Sequence, residues 1–70
     1  MNITNAIDSS IAEDRTVWMD WSADDETELR AACEDGAEYD SPEGLVLDFW
    51  GERDGCAWRV CLIRSIAAAA

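Results

Sequence analysis

Carboxylates are the side chains of this chain with the greatest capacity for chemistry. Residues 20–43 hold ten acidic residues against a single arginine, a net charge of −9. The ten are Asp20, Asp24, Asp25, Glu26, Glu28, Glu34, Asp35, Glu38, Asp40 and Glu43. Side chains three or four positions apart on a helix stand about 5–6 Å apart, a charge density of the same order as that of one nucleic-acid strand. We therefore predict that this surface binds the basic groove of a nucleic-acid-binding protein.

The negative charge is concentrated in that segment. The whole chain carries −11, whereas residues 44–70 hold three acids and three arginines and are neutral. An acidic face that only aids solubility, or an adaptation to high internal salt, would scatter acids along the whole chain. Both alternatives stay open, and the neutral final third favours a dedicated binding surface.

The residue types argue against catalysis and against a metal site. The chain has no histidine and no lysine, which are common general bases, and exposed carboxylates make poor general acids at neutral pH. Residues 20–25 do not match a calcium-binding loop. The cysteines form no CxxC pair, and Cys56 and Cys61 should point to opposite faces of one strand. We expect buried, unreactive cysteines and neither an enzyme, a metal nor a cofactor.

Four tryptophans are available for packing or recognition. We expect Trp21 and Trp58 to lie in the core, while Trp18 or Trp50 is exposed and anchors an interface. Direct nucleic-acid binding is not expected, because a net charge of −11 repels a polyanion. Sugar binding by Trp18, Trp21 or Trp50 stays open as an alternative.

A hairpin is the clearest structural element in the sequence. Two segments rich in strand-forming residues, 45–50 and 56–63, flank Asp54-Gly55, a dipeptide favoured in type I′ turns. Arg53 should then pair with Cys56. The turn predicts core-side pairs of Gly51 with Trp58, Phe49 with Val60, and Leu47 with Leu62. On the other side it predicts pairs of Trp50 with Arg59, Asp48 with Cys61, and Val46 with Ile63.

The first half of the chain contributes a strand and a helix. Residues 16–21 alternate as a strand, and Ser22 is a good N-cap for a helix that ends at Glu34 or Asp35, with Gly36 as a left-handed terminator. This helix should pack on the sheet through Leu29, Ala32 and Cys33. Residues 37–44 have the composition of a loop.

The segment before the first strand is ambiguous. Ile3, Ile7 and Ile11 recur every four residues, which favours a short helix from about Asn5 to Ala12, although an extended segment is the alternative. We expect one α+β domain over residues 1–66, followed by an alanine tail, residues 67–70. Its sheet should have about three antiparallel strands with one helix packed across it. If the N-terminal segment is helical, the domain has a second, short helix.

The chain has no segment typical of a membrane protein or a secreted one. No apolar run approaches the roughly 18–20 residues of a membrane span, and no basic start precedes an apolar stretch. Three cysteines fit a reducing compartment better than a disulfide framework. We expect a cytoplasmic protein with no membrane partner.

In its length, its acidic run over residues 20–43, its strand–helix–hairpin outline and its lack of catalytic residues, the chain resembles small acidic phage-encoded inhibitors. That class includes anti-CRISPR proteins and other DNA mimics. It has no shared motif, so no residue roles follow from the resemblance. The resemblance implies a partner that normally binds DNA or guide RNA, such as a CRISPR effector complex in the host cytoplasm, whose basic groove the protein would occupy. The alternative is an acidic interaction module, antitoxin-like or an assembly subunit, that binds through the outer face of the hairpin.

Overall fold

The computed structural model describes residues 2–42 and 44–65, which form two helices and a four-stranded sheet. In chain order the elements are α1 (Ile3–Glu13), β1 (Thr16–Asp20), α2 (Ala23–Ala32), β2 (Asp35–Ser41), β3 (Gly44–Arg53) and β4 (Cys56–Ser65). The strand order is β1-β4-β3-β2. β1 runs parallel to β4, while β2–β3 and β3–β4 are antiparallel. The α+β class is confirmed, but the sheet is mixed and has four strands, so the predicted antiparallel sheet of about three strands is wrong.

The β3–β4 hairpin has the predicted register throughout, from Arg53 opposite Cys56 to Val46 opposite Ile63. Asp54 and Gly55 both adopt positive φ, 53° and 81°, as a type I′ turn requires. Farther along β3, Gly51 faces Trp58, and a Cβ added at Gly51 would lie 2.7 Å from the indole Cζ2. Glycine at this position therefore lets the large indole pack directly on β3.

Helix α2 begins as predicted and ends earlier. The Ser22 side chain accepts a hydrogen bond of 3.1 Å from the Asp25 N–H, whereas the last helical residue is Ala32 and Cys33 is extended. The predicted ending at Glu34 or Asp35 is therefore wrong. Gly36 is no left-handed terminator. It lies in β2 opposite Phe49, where an added Cβ would be 3.0 Å from the ring.

Residues 37–44 were expected to be a loop, and most of them belong to strand β2. Its residues are exposed except for the half-buried Ser41. Because neither face of the strand is buried, its sequence has no alternation of apolar and polar residues from which a strand could be predicted. Pairing with β3 supplies its hydrogen bonds. Acidic side chains on an edge strand also discourage further strand addition.

The N-terminal segment forms helix α1, so the extended alternative is wrong. The Asn2 side chain caps it by accepting a hydrogen bond of 2.8 Å from the Asn5 N–H. At the other end Asp14 adopts the left-handed conformation. The helix packs chiefly on β4. There the Ser10 hydroxyl donates to the Arg15 carbonyl at 2.7 Å and accepts from the Arg59 N–H at 2.8 Å.

Both helices cover the same face of the sheet. The buried core consists of Ile3, Ala6, Ile7, Val17, Leu29, Leu47, Phe49, Trp58, Val60 and Leu62. This includes the predicted hairpin core and Leu29, with Cys33 and Trp21 partly buried against it. Trp21 is thus at the margin of the core in which it was expected. Ala32 is exposed, so its predicted packing on the sheet is wrong. We call the other side of the sheet the open face, since no described helix lies on it. Neither helix in the described part of the chain is long and apolar enough to span a membrane.

Candidate functional site

Helix α2 carries the first group of predicted partner-binding carboxylates. Asp24 and Glu28 are exposed, and Asp25 and Glu26 are half-buried. The acids of its first turn lie at the positive end of the helix dipole, which stabilises them there. Asp24 and Glu28 are one turn apart, so α2 holds two exposed negative charges in a defined geometry.

Glu26 has partners within the protein. Its carboxylate accepts hydrogen bonds from Trp21 Nε1 at 2.7 Å and from Arg30 Nε at 2.9 Å. The bond from Trp21, followed by that from Arg30, lowers the pKa of Glu26 below its ordinary value. Arg64 stacks over the Trp21 ring, with its guanidinium carbon 4.4 Å from the centroid. Of the predicted partner-binding acids, Glu26 is thus the one most engaged in holding the fold together.

The second group of acids lies on or beside β2 rather than on α2. Glu38 and Asp40 face the side of the sheet that the helices cover, while Asp35 faces the open side. Asp35 accepts a hydrogen bond of 2.8 Å from the Gly36 N–H. Glu34 is held by its backbone N–H, which donates to the Trp50 carbonyl at 3.0 Å. The expectation that one helix spaces Glu34 and Asp35 with the acids of α2 is wrong.

The remaining predicted acids are dispersed. Asp20 ends β1 on the open face and at the other edge of the sheet from β2. Glu43 lies outside the residues that the structure describes. The ten predicted carboxylates therefore do not form one compact cluster.

Arg30 joins the acids of α2 to those of β2. Its guanidinium bonds Glu26, lies 3.9 Å from the Glu38 carboxylate, and has its carbon 5.3 Å from the centroid of the Phe49 ring. Arg30 therefore links Glu26 of α2 to Glu38 of β2, whereas Asp24 and Glu28 lie about half a turn around the helix from Glu26 and Arg30. We use the name α2–β2 surface for the carboxylates of Asp24, Asp25, Glu28, Glu38 and Asp40.

Every arginine of the chain has a partner within the described residues. The pairs are Arg15 with Glu13, Arg30 with Glu26, Arg53 with Asp8, Arg59 with Asp48, and Arg64 with the Trp21 ring. In contrast, seven of the predicted partner-binding acids form no ion pair there. They are Asp20, Asp24, Asp25, Glu28, Glu34, Asp35 and Asp40. The negative charge of residues 20–40 is thus mostly left without an internal counter-ion.

A buried carboxylate lies at the centre of the open face. Asp48 accepts two hydrogen bonds from Arg59, one of them 2.8 Å long from Nε, and one of 3.2 Å from the Cys61 thiol. Arg59 lowers the pKa of Asp48 and outweighs the effect of burial. Burial, followed by the bond to Asp48, raises the pKa of Cys61 to about 12. Cys61 therefore remains a protonated thiol and a poor nucleophile.

The cysteine prediction is only partly correct. Cys61 is buried, Cys33 is half-buried, and Cys56, beside the hairpin turn, is exposed, so its expected burial is wrong. Cys56 and Cys61 do lie on opposite faces of β4, as their odd spacing requires. In residues 2–42 and 44–65, no group of three or more histidine, cysteine, aspartate or glutamate residues is placed to hold a metal ion.

Aromatic side chains surround the Asp48–Arg59 pair on the open face. Trp18 on β1 is 55% exposed, Tyr39 on β2 is 45% exposed, and Trp50 on β3 is half-buried. Of the two predicted anchors, Trp18 is thus the more exposed. Sequence reasoning missed Tyr39 because its segment was assigned to a loop. The strand alternation of β2 would have placed it beside Val46 on this face.

A cavity of about 320 Å³ opens beside the free edge of β1. Its lining residues are Trp18, Met19, Asp20 and Asp25. Asp20 and Asp25 are predicted partner-binding acids, and Trp18 is a predicted interface anchor. Asp25 belongs to α2 and the other three residues to β1. The cavity was not foreseen, because it depends on where α2 begins relative to β1.

Most of the predicted partner-binding carboxylates in the described residues are exposed, and the buried thiol of Cys61 is protonated. The chain matches no protein-family model, no curated protein and no solved structure.

Proposed function

We propose that this protein is an inhibitor that occupies the basic nucleic-acid-binding surface of a partner protein or ribonucleoprotein complex. In this proposal the α2–β2 surface takes the place of a nucleic-acid backbone. The resemblance to small phage-encoded inhibitors makes a CRISPR effector the first partner to examine. The protein itself would not bind nucleic acid, because its net charge of −11 repels a polyanion.

The observation that carries the proposal is the unequal pairing of charge. All five arginines have internal partners, while seven acids of residues 20–40 have no arginine within ion-pairing distance. A surface of this kind concentrates a negative potential that attracts Lys/Arg-lined grooves and accelerates association with them. An acidic coat that only aided solubility would not need seven acids of one segment left without a counter-ion.

The placement of the acids on regular elements supports the same proposal. Asp24 and Glu28 stand about 6 Å apart along α2 at 1.5 Å per residue. Glu38 and Asp40 alternate along β2 and are about 7 Å apart. Rigid elements limit the entropy lost when a partner binds, because the spacing of these charges is fixed before the partner binds.

A second candidate function has its own support on the open face. Each of the four strands contributes one residue to this face, Trp18, Tyr39, Trp50 and Arg59. Tryptophan, tyrosine and arginine are the residues most enriched at interface hot spots. In this alternative the protein is an interaction module, antitoxin-like or an assembly subunit, that binds through the sheet. The carboxylates would then influence association rates and contribute little affinity.

The experiment compares matched variants against a captured partner. The double variant Asp24→Lys/Glu28→Lys reverses two charges on α2, and Glu13→Lys/Glu52→Lys makes the same change in net charge at exposed residues elsewhere. Trp50→Ala tests the open face. Mimicry predicts that the first variant loses at least tenfold in affinity and no longer displaces the partner's DNA or RNA, while the other two bind nearly normally. Equal loss in both lysine variants would reveal a net-charge effect alone, and loss only in Trp50→Ala would establish the interaction module.

A further inference from the structure

We propose that the cavity beside β1 receives one arginine side chain of the basic partner. The inference rests on the proposed function, since it names the contact that would add specificity to the long-range attraction of the acids. The residues that line the cavity are an aromatic one, Trp18, the thioether-bearing Met19, and two acidic ones, Asp20 and Asp25. No element of the described fold lies beyond β1, which is an edge strand.

The lining selects for an organic cation. A guanidinium stacks on the face of an indole by a cation–π interaction and can donate to carboxylates through its planar fork. A neutral apolar group would desolvate two carboxylates without replacing their hydrogen bonds, and an anion would be repelled. At about 320 Å³ the cavity is at the small end of ligand pockets, so it suits one side chain better than a larger ligand.

The two carboxylates have no partner of their own. In the described ranges, the carboxylates of Asp20 and Asp25 make no ion pair, and neither accepts a side-chain or backbone hydrogen bond. The Trp18 indole is 55% exposed beside them. Trp18 and Asp20 belong to the open face and Asp25 to α2 on the covered face, so they line the cavity from both sides of the β1 edge, and a cation there would supply the partner that the two carboxylates lack.

The same fold contains a completed set three residues farther along the chain. Arg64 stacks over the Trp21 ring at 4.4 Å, and Trp21 Nε1 donates to the Glu26 carboxylate at 2.7 Å. There the indole, the carboxylate and the guanidinium all come from this protein. At Trp18 the indole and the carboxylates are present, and the guanidinium is the component that the partner would supply.

A titration with a single arginine side chain tests the cavity directly. The probe is N-acetyl-arginine amide, observed through the indole N–H signals in two-dimensional NMR spectra, with the Trp18 signal assigned from Trp18→Phe. We expect a saturable shift of the Trp18 signal at millimolar probe, larger than the shift of any other indole. N-acetyl-citrulline amide, which has the same shape without the charge, should produce no saturable shift. N-acetyl-lysine amide should bind more weakly than the arginine probe.

Variants connect the shift to the cavity. Asp20→Asn/Asp25→Asn should weaken binding of the arginine probe about tenfold, and Asp24→Asn/Glu28→Asn, which removes the same charge outside the cavity, should weaken it less than threefold. Circular dichroism confirms that both fold. Absence of a saturable shift, an equal response to citrulline, tighter binding of the lysine probe, or equal weakening in both variants would overturn the inference.

The outcome is separable from that of the proposed function. A failed titration together with loss of partner binding in Asp24→Lys/Glu28→Lys overturns the cavity inference and leaves mimicry standing. A successful titration together with normal partner binding in the lysine variant supports a cation site and overturns mimicry by the α2–β2 surface.

Discussion

Replacing Arg59 by methionine would leave the Asp48 carboxylate charged in a buried position without its guanidinium. The Asp48 side chain is 4% exposed, while that of Arg59 is 54% exposed. Breaking a fully buried ion pair costs about 3–5 kcal/mol. Water reaches this pair through the exposed guanidinium, and the Cys61 thiol still donates to Asp48, so we expect a cost of about 2–3 kcal/mol. That is a large fraction of the stability of a domain of this size.

The cost should depend on pH in a defined direction. In the parent protein the pKa of Asp48 is lowered, so Asp48 contributes stability above the ordinary carboxyl pKa, near 4, and this contribution is lost as pH falls through the lowered folded value. In Arg59→Met, burial is no longer outweighed and should raise the pKa of Asp48 above its ordinary value. Protonation of the folded state then relieves the defect, and the difference in stability between the two proteins should narrow as pH falls from 7 to about 4.

Urea denaturation followed by tryptophan fluorescence at several pH values measures this directly. Arg53→Met is the matched control, because Arg53 pairs with Asp8 where both side chains are about half exposed, and its cost should be under about 1 kcal/mol. Asp48→Asn keeps the shape of the side chain and should cost about 1 kcal/mol. Combining it with Arg59→Met should restore part of the loss. A cost for Arg59→Met that matched the control, or that stayed constant with pH, would refute the reasoning.

Three further predictions concern packing and charge. Ser10→Ala removes the buried hydroxyl that bonds Arg15 and Arg59 and should cost about 1–3 kcal/mol in urea denaturation, whereas the neighbouring Ser9→Ala should be nearly neutral. Gly51→Ala places a Cβ 2.7 Å from the Trp58 ring and should cost about 1–3 kcal/mol; an unchanged unfolding midpoint would mean that the indole can move aside. Because the seven unpaired acids repel one another, the melting temperature should rise between low and moderate sodium chloride, and a flat or falling curve would contradict a dense acidic surface.

The hairpin was predictable because the residues that determine its register are close together in the sequence. A type I′ turn at Asp54-Gly55 sets which residues pair, and the alternation of β3 and β4 then sets which side chains are buried. The end of α2 and the strand β2 were not predictable in this way. Gly36 serves equally well as a helix terminator or as a gap for the Phe49 ring, and only the tertiary packing on Phe49 distinguishes the two.

The candidate site was predictable in composition and unpredictable in geometry. Residue counts alone locate the excess of acids in residues 20–43. Which acids lack an ion pair depends on which carboxylates the arginines contact in the fold. Arg53 contacts Asp8, 45 positions away, and Arg30 contacts acids on both α2 and β2. The cavity at Trp18 is lined by residues within positions 18–25, but its shape depends on the angle between β1 and α2, which the residue types there do not determine.

The position of β4 between β1 and β3 has a consequence for biosynthesis. The contacts that attach α1 and β1 to the sheet involve β4, including the bond between Ser10 and Arg59, 49 positions apart. A growing chain therefore cannot place its first helix and strand until β4 has left the ribosome, and such long-range contacts slow folding relative to local ones. Meanwhile the acidic residues 20–43 repel one another and other nascent chains. The same carboxylates that we propose to engage a partner can thus keep the unfinished chain soluble until β4 has been synthesised.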